Sequence, residues 1–253
     1  MTTTRSKQDA ADFSQSFLIE APMLLHCGPI FFFPSSDPVP TNVAANGTFG
    51  LVDTGQKKIM VTCEHVWADF GKFREANPDA VIAVLLGENR PVMLSGIQPL
   101  DSDRSLDLAT FDMEPFLNFC RSREFYQLPR KGIAAVRRKD ALAILGYLGE
   151  SRHTCAVGAN FGYDFIGVSV SDTSGFTVCA DITATRTIRD RDGATLPEAR
   201  SLGGLSGSPC YRLMPNGSLR LVGFVTSSGL GIVRLTHAGC LSADGTLNRA
   251  FRL

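Results

Sequence analysis

The sequence has no surplus of charge of either sign: 25 Lys and Arg stand against 25 Asp and Glu in 253 residues. Without a net field there is no general attraction to nucleic acid or to an anionic membrane, so neither is expected as a partner. Long hydrophobic runs are missing too. The most apolar stretch, Phe17 to Phe33, is interrupted by Glu20, Pro22, His26 and Pro29 and cannot satisfy its backbone as a spanning helix. It reads as buried strand. The opening MTTTRSKQDAADFSQS lacks the apolar core and small-residue cleavage site of a secretory signal, and neither end carries a lipidation motif, which points to the cytoplasm. Paired cysteine motifs are also absent. Cys27, Cys63, Cys120, Cys155, Cys179, Cys210 and Cys240 are odd in number, widely spaced and without a CxxC pair. That argues against a disulfide framework and a zinc site; buried thiols, with no metal or other cofactor, are expected.

What is present is an ordinary globular composition, 44% hydrophobic and 20% charged, long enough for one large all-β or α/β domain or two smaller ones. Residues 7–19 permit one short helix, with Phe13 and Phe17 on a common face. Strands dominate afterwards. GTFGLVDTGQKKIMVTCEHVW reads as strands 47–52 and 58–63 joined by a turn over Asp53, Thr54 and Gly55, with a short helical turn following through Phe73. Further β-like runs are 80–86, 90–97, 106–112, 141–147, 165–170, 176–183, 209–213, 219–226 and 231–235. Asn46 and Asn216, each followed by Gly, read as hairpin turns. Many short strands with close-set turn signals indicate an all-β sandwich or barrel. Residues 121–139 carry Arg121, Arg123, Arg130, Lys131, Arg137, Arg138 and Lys139 against Glu124 alone, which marks a solvated basic connection between two halves.

The segment most suggestive of chemistry is LGGLSGSPCY, residues 202–211. Its glycines allow a sharp turn that aims backbone NH groups at one spot, as an oxyanion beside a nucleophilic hydroxyl requires. A serine hydroxyl at neutral pH also needs an imidazole to take its proton and a carboxylate to fix that imidazole. Of the four histidines, His65 stands best, at the end of the apolar strand in IMVTCEHVW; His26, His153 and His237 read as surface or packing residues. Asp107, opening the apolar strand of SLDLATFDM, is the first choice of carboxylate, with Asp101, Asp103 and Asp112 behind it.

The order His, Asp, Ser, carried by TCEHVW, DLATF and GLSGSP, resembles the trypsin/chymotrypsin-like serine proteases. LAILGYLG before the serine and PCYRLMPNGSLRLVGFVTSSG after it are similar to that family's flanking strands, so the likeness spans residues 40–235. It implies an all-β fold of two antiparallel six-stranded β-barrels with the active site in the cleft between them. The expected divisions are an N-terminal extension (1–17), a first barrel (18–120), the linker (121–139) and a second barrel (140–253). It further implies a serine endopeptidase, with Ser206 as nucleophile, His65 as base and then acid, Asp107 as orienting carboxylate, and the NH groups of Gly204 and Ser206 as oxyanion hole.

The departures from the family pattern carry expectations of their own. Leu205 stands where secreted relatives have the Asp that pairs with a freed N-terminus, so that activation route is not expected. Val66 replaces a family cysteine, in keeping with a reducing compartment; Cys63 and Glu64 are unusual for the family. Arg200 stands where trypsin-like members keep an acid, and Val225 where Glu-specific members keep a histidine, so neither preference is supported. Arg200 is a candidate substrate-binding residue, and small or apolar side chains, or an acidic one reaching Arg200, stay open as substrates. Thr226, Ser227 and Ser228 would hydrogen-bond the substrate backbone as an added strand. The expected partners are a protein or peptide substrate and an activating or regulatory protein. The alternative is a catalytically silent chymotrypsin-fold module that binds protein segments. An α/β-hydrolase esterase is disfavoured because Ser208 occupies the second Gly of GxSxG, and a cysteine protease because Cys210 lies beyond Pro209.

Overall fold

The computed structural model describes residues 19–35, 45–86, 91–129, 133, 135–149, 152–155, 158–182, 187–189 and 202–253. Most of the helix expected over 7–19 therefore lies outside the described residues. Residues 19–25 are helical (α1), which corrects the reading of Phe17 to Phe33 as one strand. Apolar density hid a change of element: Met23 is buried on the helix, and only the following CGPIFFFP runs extended.

The strands are β1 (Cys27–Pro34), β2 (Ala45–Asp53), β3 (Lys58–Thr62), β4 (Ala80–Val84), β5 (Val92–Met93), β6 (Asp101–Asp103), β7 (Leu108–Asp112) and β8 (Tyr126–Gln127) in the first half. The second half holds β9 (Ala141–Gly146), β10 (Arg152–Cys155), β11 (Gly158–Phe161), β12 (Tyr163–Ser174), β13 (Thr177–Ile182), β14 (Thr187–Arg189), β15 (Pro209–Leu213), β16 (Leu219–Gly229) and β17 (Ile232–His237). Helix α2 (Glu64–Ala76) follows β3 and turns Val66 and Phe70 inward.

In the second half β13, β17, β16, β15, β9 and β12 form an antiparallel circuit, and the β12–β13 pairing closes it into a six-stranded barrel. The first half is a sheet ordered β5-β4-β1-β2-β3-β7-β6, with β8 added parallel to β2. Among the described residues this sheet is open, so the expected second closed barrel is not seen. The end strands β5 and β6 are short, two and three residues, and do not pair with each other.

Strand β1 shows why the two halves adhere. Ile30 and Phe32 point into the core of the first sheet with Phe49, Leu51, Met60 and Phe111. The alternate residues Phe31 and Phe33 join Val61, Leu145, Tyr211 and Phe224 in a second core that draws on both halves. A third core, with Leu142, Ile144, Val222, Val225 and Leu235, fills the closed barrel. Each fully buried Phe or Leu contributes roughly 1.5–3 kcal/mol of transfer free energy.

Two further readings are corrected. Asn46 lies in β2, opposite Phe31, and not in a turn; Asn216 does sit in a turn, where its side chain accepts the Ser218 NH at 3.1 Å. The basic connection is not uniformly solvated. Arg123 donates to the Leu24 carbonyl and the Glu124 NH to that of Leu25 at 2.8 Å, so both serve carbonyls at the end of α1. The Tyr126 hydroxyl donates to the Leu219 carbonyl at 3.3 Å and accepts the Leu221 NH at 3.0 Å, stitching the connection to the barrel.

Candidate active site

Strand β3 delivers Thr62 and Cys63 to the start of α2, and His65 stands in the first helical turn. Cys63 occupies the N-cap without a side-chain cap bond, so the helix takes its cap from elsewhere. Asp107 supplies it: Oδ1 accepts the His65 backbone NH at 3.0 Å. A carboxylate there satisfies an orphan donor and faces the positive end of the helix dipole. Asp107 reaches this position with φ +50, a left-handed conformation that Asp tolerates better than most residues. Beside it Glu64 pairs with Arg104 at 3.5 Å, tying the turn that carries Asp107 to the helix that carries His65.

The same carboxylate accepts from the His65 ring, with Nδ1 2.8 Å from Oδ2 and 3.0 Å from Oδ1. An ionised carboxylate offers no proton, so Nδ1 carries the hydrogen and Nε2 presents its lone pair. Ser206 Oγ lies 2.9 Å from Nε2, placed to donate. The hydrogen bond to Asp107 holds the His65 pKa above its ordinary value against the opposing effect of burial, with Asp107, Asp69 and Glu64 adding negative charge nearby.

The loop carrying Ser206 is held peptide by peptide. The Gly203 carbonyl accepts the Gly149 NH at 2.8 Å, which orients the following NH, that of Gly204. The Gly204 carbonyl accepts the Thr48 hydroxyl at 2.8 Å, and the Ser206 carbonyl accepts the Thr48 NH at 2.8 Å. Gly207 donates to Val225 at 2.8 Å. Gly204 (φ +101) and Gly207 (φ +88) take the two positive-φ positions the loop needs. Leu205 is fully buried in the barrel core, so its side chain orders the loop by packing alone. The NH groups of Gly204 and Ser206 have no hydrogen-bond acceptor among the described residues.

The residues ranked behind Asp107 are engaged elsewhere. Asp101 and Asp103 bind Arg249 at 2.8 and 2.6 Å, and Asp112 binds Lys57 at 2.7 Å. His237 is buried and stacks on Phe251 at 5.0 Å between centroids. His26 bonds the Glu124 carbonyl through Nδ1 at 3.0 Å. Cys210 is buried in β15, its thiol pKa pushed up by burial. Thr226, Ser227 and Ser228 follow the last residue of β16 paired with β15, Phe224, so that edge carries no strand partner among the described residues. Their other edge pairs with β17 through Ser227–Arg234 and Ser228–Val233. Arg200 lies outside the described residues.

Thr48 and Thr62 went unrecognised in the sequence. Both are fully buried, and Thr62 Oγ1 donates to the Thr48 carbonyl at 2.8 Å, completing the clasp. A β-branched residue in an apolar strand is unremarkable, and a partner 156 positions away leaves no local trace. Cys63, His65 and Asp107 bring one sulfur, one nitrogen and one carboxylate oxygen within 4.8 Å of one another, a donor set of the kind zinc accepts. The Cys63 thiol is fully buried, and burial together with the Asp107 charge holds its pKa well up. A metal ion there would have to displace that proton and break the His65–Asp107 pair.

Cys27, Cys63, Cys120, Cys179, Cys210 and Cys240 are free thiols. Among the described residues no helix is long and apolar enough to cross a membrane. No protein-family model matches the sequence, and no curated protein matches it.

Proposed function

We propose that the protein is a serine endopeptidase of the trypsin/chymotrypsin-like kind, with the open sheet described above standing in the place of that family's first barrel. The observation that carries this reading is the continuous hydrogen-bonded chain from Asp107 through His65 to Ser206, which joins the sheet to the closed barrel.

In this reading Ser206 Oγ attacks the scissile carbonyl carbon as its proton passes to His65 Nε2. The carbonyl π electrons move onto oxygen, and that oxyanion sits against the NH groups of Gly204 and Ser206. Loss of one such donor costs about 2.7–4 kcal/mol of transition-state stabilisation. Asp107 stabilises the imidazolium without taking its proton. The tetrahedral centre then collapses, the C–N bond breaks, and Nε2–H protonates the departing amine. Water enters, gives a proton to His65, and its oxygen attacks the acyl carbon; Ser206 regains its proton as the acid leaves. The edge at Thr226 to Ser228, without a strand partner among the described residues, suits an extended peptide lying antiparallel to β16.

The ordered loop, whose Gly204 and Ser206 NH groups have no acceptor among the described residues, favours catalysis over a silent binding module. A fluorophosphonate probe tests the choice. Wild type should be labelled at Ser206 alone and Ser206→Ala not at all; an unlabelled wild type would leave the binding module as the better reading.

A further inference from the structure

Cys63 has no part in the proton transfers above, yet its side chain lies at their centre. The thiol is fully buried and donates to the Val225 carbonyl at 3.0 Å. That same carbonyl accepts the Gly207 NH at 2.8 Å, the residue directly after the nucleophile. One oxygen on β16 thus binds both the residue two positions before His65 and the residue one position after Ser206. The sulfur also stands within 4.8 Å of ligating atoms of His65 and Asp107. The neighbouring hydroxyl on β16, that of Thr226, is turned away to the Arg234 carbonyl at 3.3 Å and makes no such link.

His65 and Asp107 belong to the first half and Ser206 to a loop of the closed barrel, so their spacing depends on how the two halves meet. Thr48 fixes the loop from the side of β2. We propose that Cys63 is a positioning residue whose S–H, bonded to the Val225 carbonyl, sets the separation of His65 Nε2 from Ser206 Oγ. Burial and the adjacent Asp107 carboxylate keep this thiol protonated, so it remains a donor and does not compete as a nucleophile. The inference rests on the serine endopeptidase reading for its effect on rate, while the positioning itself is a matter of geometry.

Two substitutions separate hydrogen bonding from packing. Cys63→Val fills the site without a donor, and Cys63→Ser keeps an O–H on a slightly shorter arm. With wild type labelled by the fluorophosphonate probe, Cys63→Val should react about 10- to 100-fold more slowly, the cost typical of a misplaced reacting pair. Cys63→Ser should recover to within about threefold of wild type. Melting temperatures serve as the check on folding, and the low-field Nδ1 proton of His65 should persist in both variants, because the Asp107 bond lies within the first half. Crystal structures of the variants give a readout that needs no activity: the His65–Ser206 separation should exceed hydrogen-bonding distance in Cys63→Val and stay near 2.9 Å in Cys63→Ser. An unchanged separation and labelling rate in a folded Cys63→Val would overturn the inference and leave the enzymatic reading intact. Absence of labelling in wild type would count against the enzyme, with the variant separations still deciding the role of Cys63.

Discussion

The Thr48 hydroxyl donates to the Gly204 carbonyl across 156 residues of sequence, and it accepts the Tyr147 NH at 2.9 Å in the same place. The side chain therefore joins three segments: β2 of the open sheet, the end of β9, and the nucleophile loop. Thr48→Val keeps the shape and deletes the oxygen, leaving a carbonyl and an NH without partners in a buried site. The expected loss is about 2–4 kcal/mol of stability by denaturant titration, with a slower probe reaction. Thr48→Ser should retain most of both. A Thr48→Val protein as stable and reactive as wild type would show the clasp to be dispensable.

The raised pKa of His65 sets the acid limb of activity. The base must be neutral to take the Ser206 proton, so the labelling rate should fall as pH drops through a midpoint above the ordinary 6.5 of imidazole. Asp107→Asn removes the charge that raises it and replaces one acceptor oxygen by an NH2 donor, which favours the wrong imidazole tautomer. It should move the midpoint down while lowering the plateau by about 10⁴-fold. Stability carries the same sign information. A group with a raised folded pKa stabilises below its unfolded value and loses that contribution as pH rises through the folded one. His65→Ala should flatten this part of the stability profile; a midpoint that Asp107→Asn leaves unmoved would refute the assigned cause.

Much of the site was legible because its chemistry is written in short local motifs. TCEHVW, DLATF and GLSGSP place His65, Asp107 and Ser206 within a few residues of strands β3, β7 and β15, and the structure brings all three together. The strand pattern of β2, β3, β9, β15 and β16 was legible for a similar reason, since each is a compact apolar run bounded by turn residues. Residues 19–25 were not, because two helical turns that include buried Glu20 and Met23 are too short to show a 3.6-residue period. Closure of a sheet was also out of reach. It depends on whether β12 meets β13, or β5 meets β6, and such pairings are set by register and strand length across the fold. Thr48 and Cys63 act through partners more than 150 positions away, which no local window contains.

Gly207 tests the backbone of the nucleophile loop directly. It sits at φ +88, and a Cβ there would lie 2.0 Å from the Thr48 carbonyl oxygen, a backbone atom held by Thr62. Neither the strain nor the clash has a flexible side chain to absorb it. Gly207→Ala should cost about 3 kcal/mol or more and abolish labelling of Ser206 in whatever folded protein remains. Wild-type melting and labelling would mean that the loop adopts another conformation in solution.

Leu205 bears on how the site is switched. An aspartate at this position could pair with a freed amino terminus and so make activity depend on cleavage, whereas the fully buried Leu205 makes only apolar contacts. The bonds that order the loop, from Gly149, Thr48 and Val225, are neutral and come from residues within the two halves. No step in that set waits for a new charge. The 253-residue chain should therefore react with the fluorophosphonate probe without prior cleavage, and removing residues 1–10 should change the labelling rate by less than about twofold. A truncation series assayed with the probe and a mixed peptide library measures both. Reactivity that appears only after N-terminal trimming would overturn this account of the loop. Labelling without peptide cleavage until a second protein is added would place the control in a partner that shifts substrate access, with the triad already assembled.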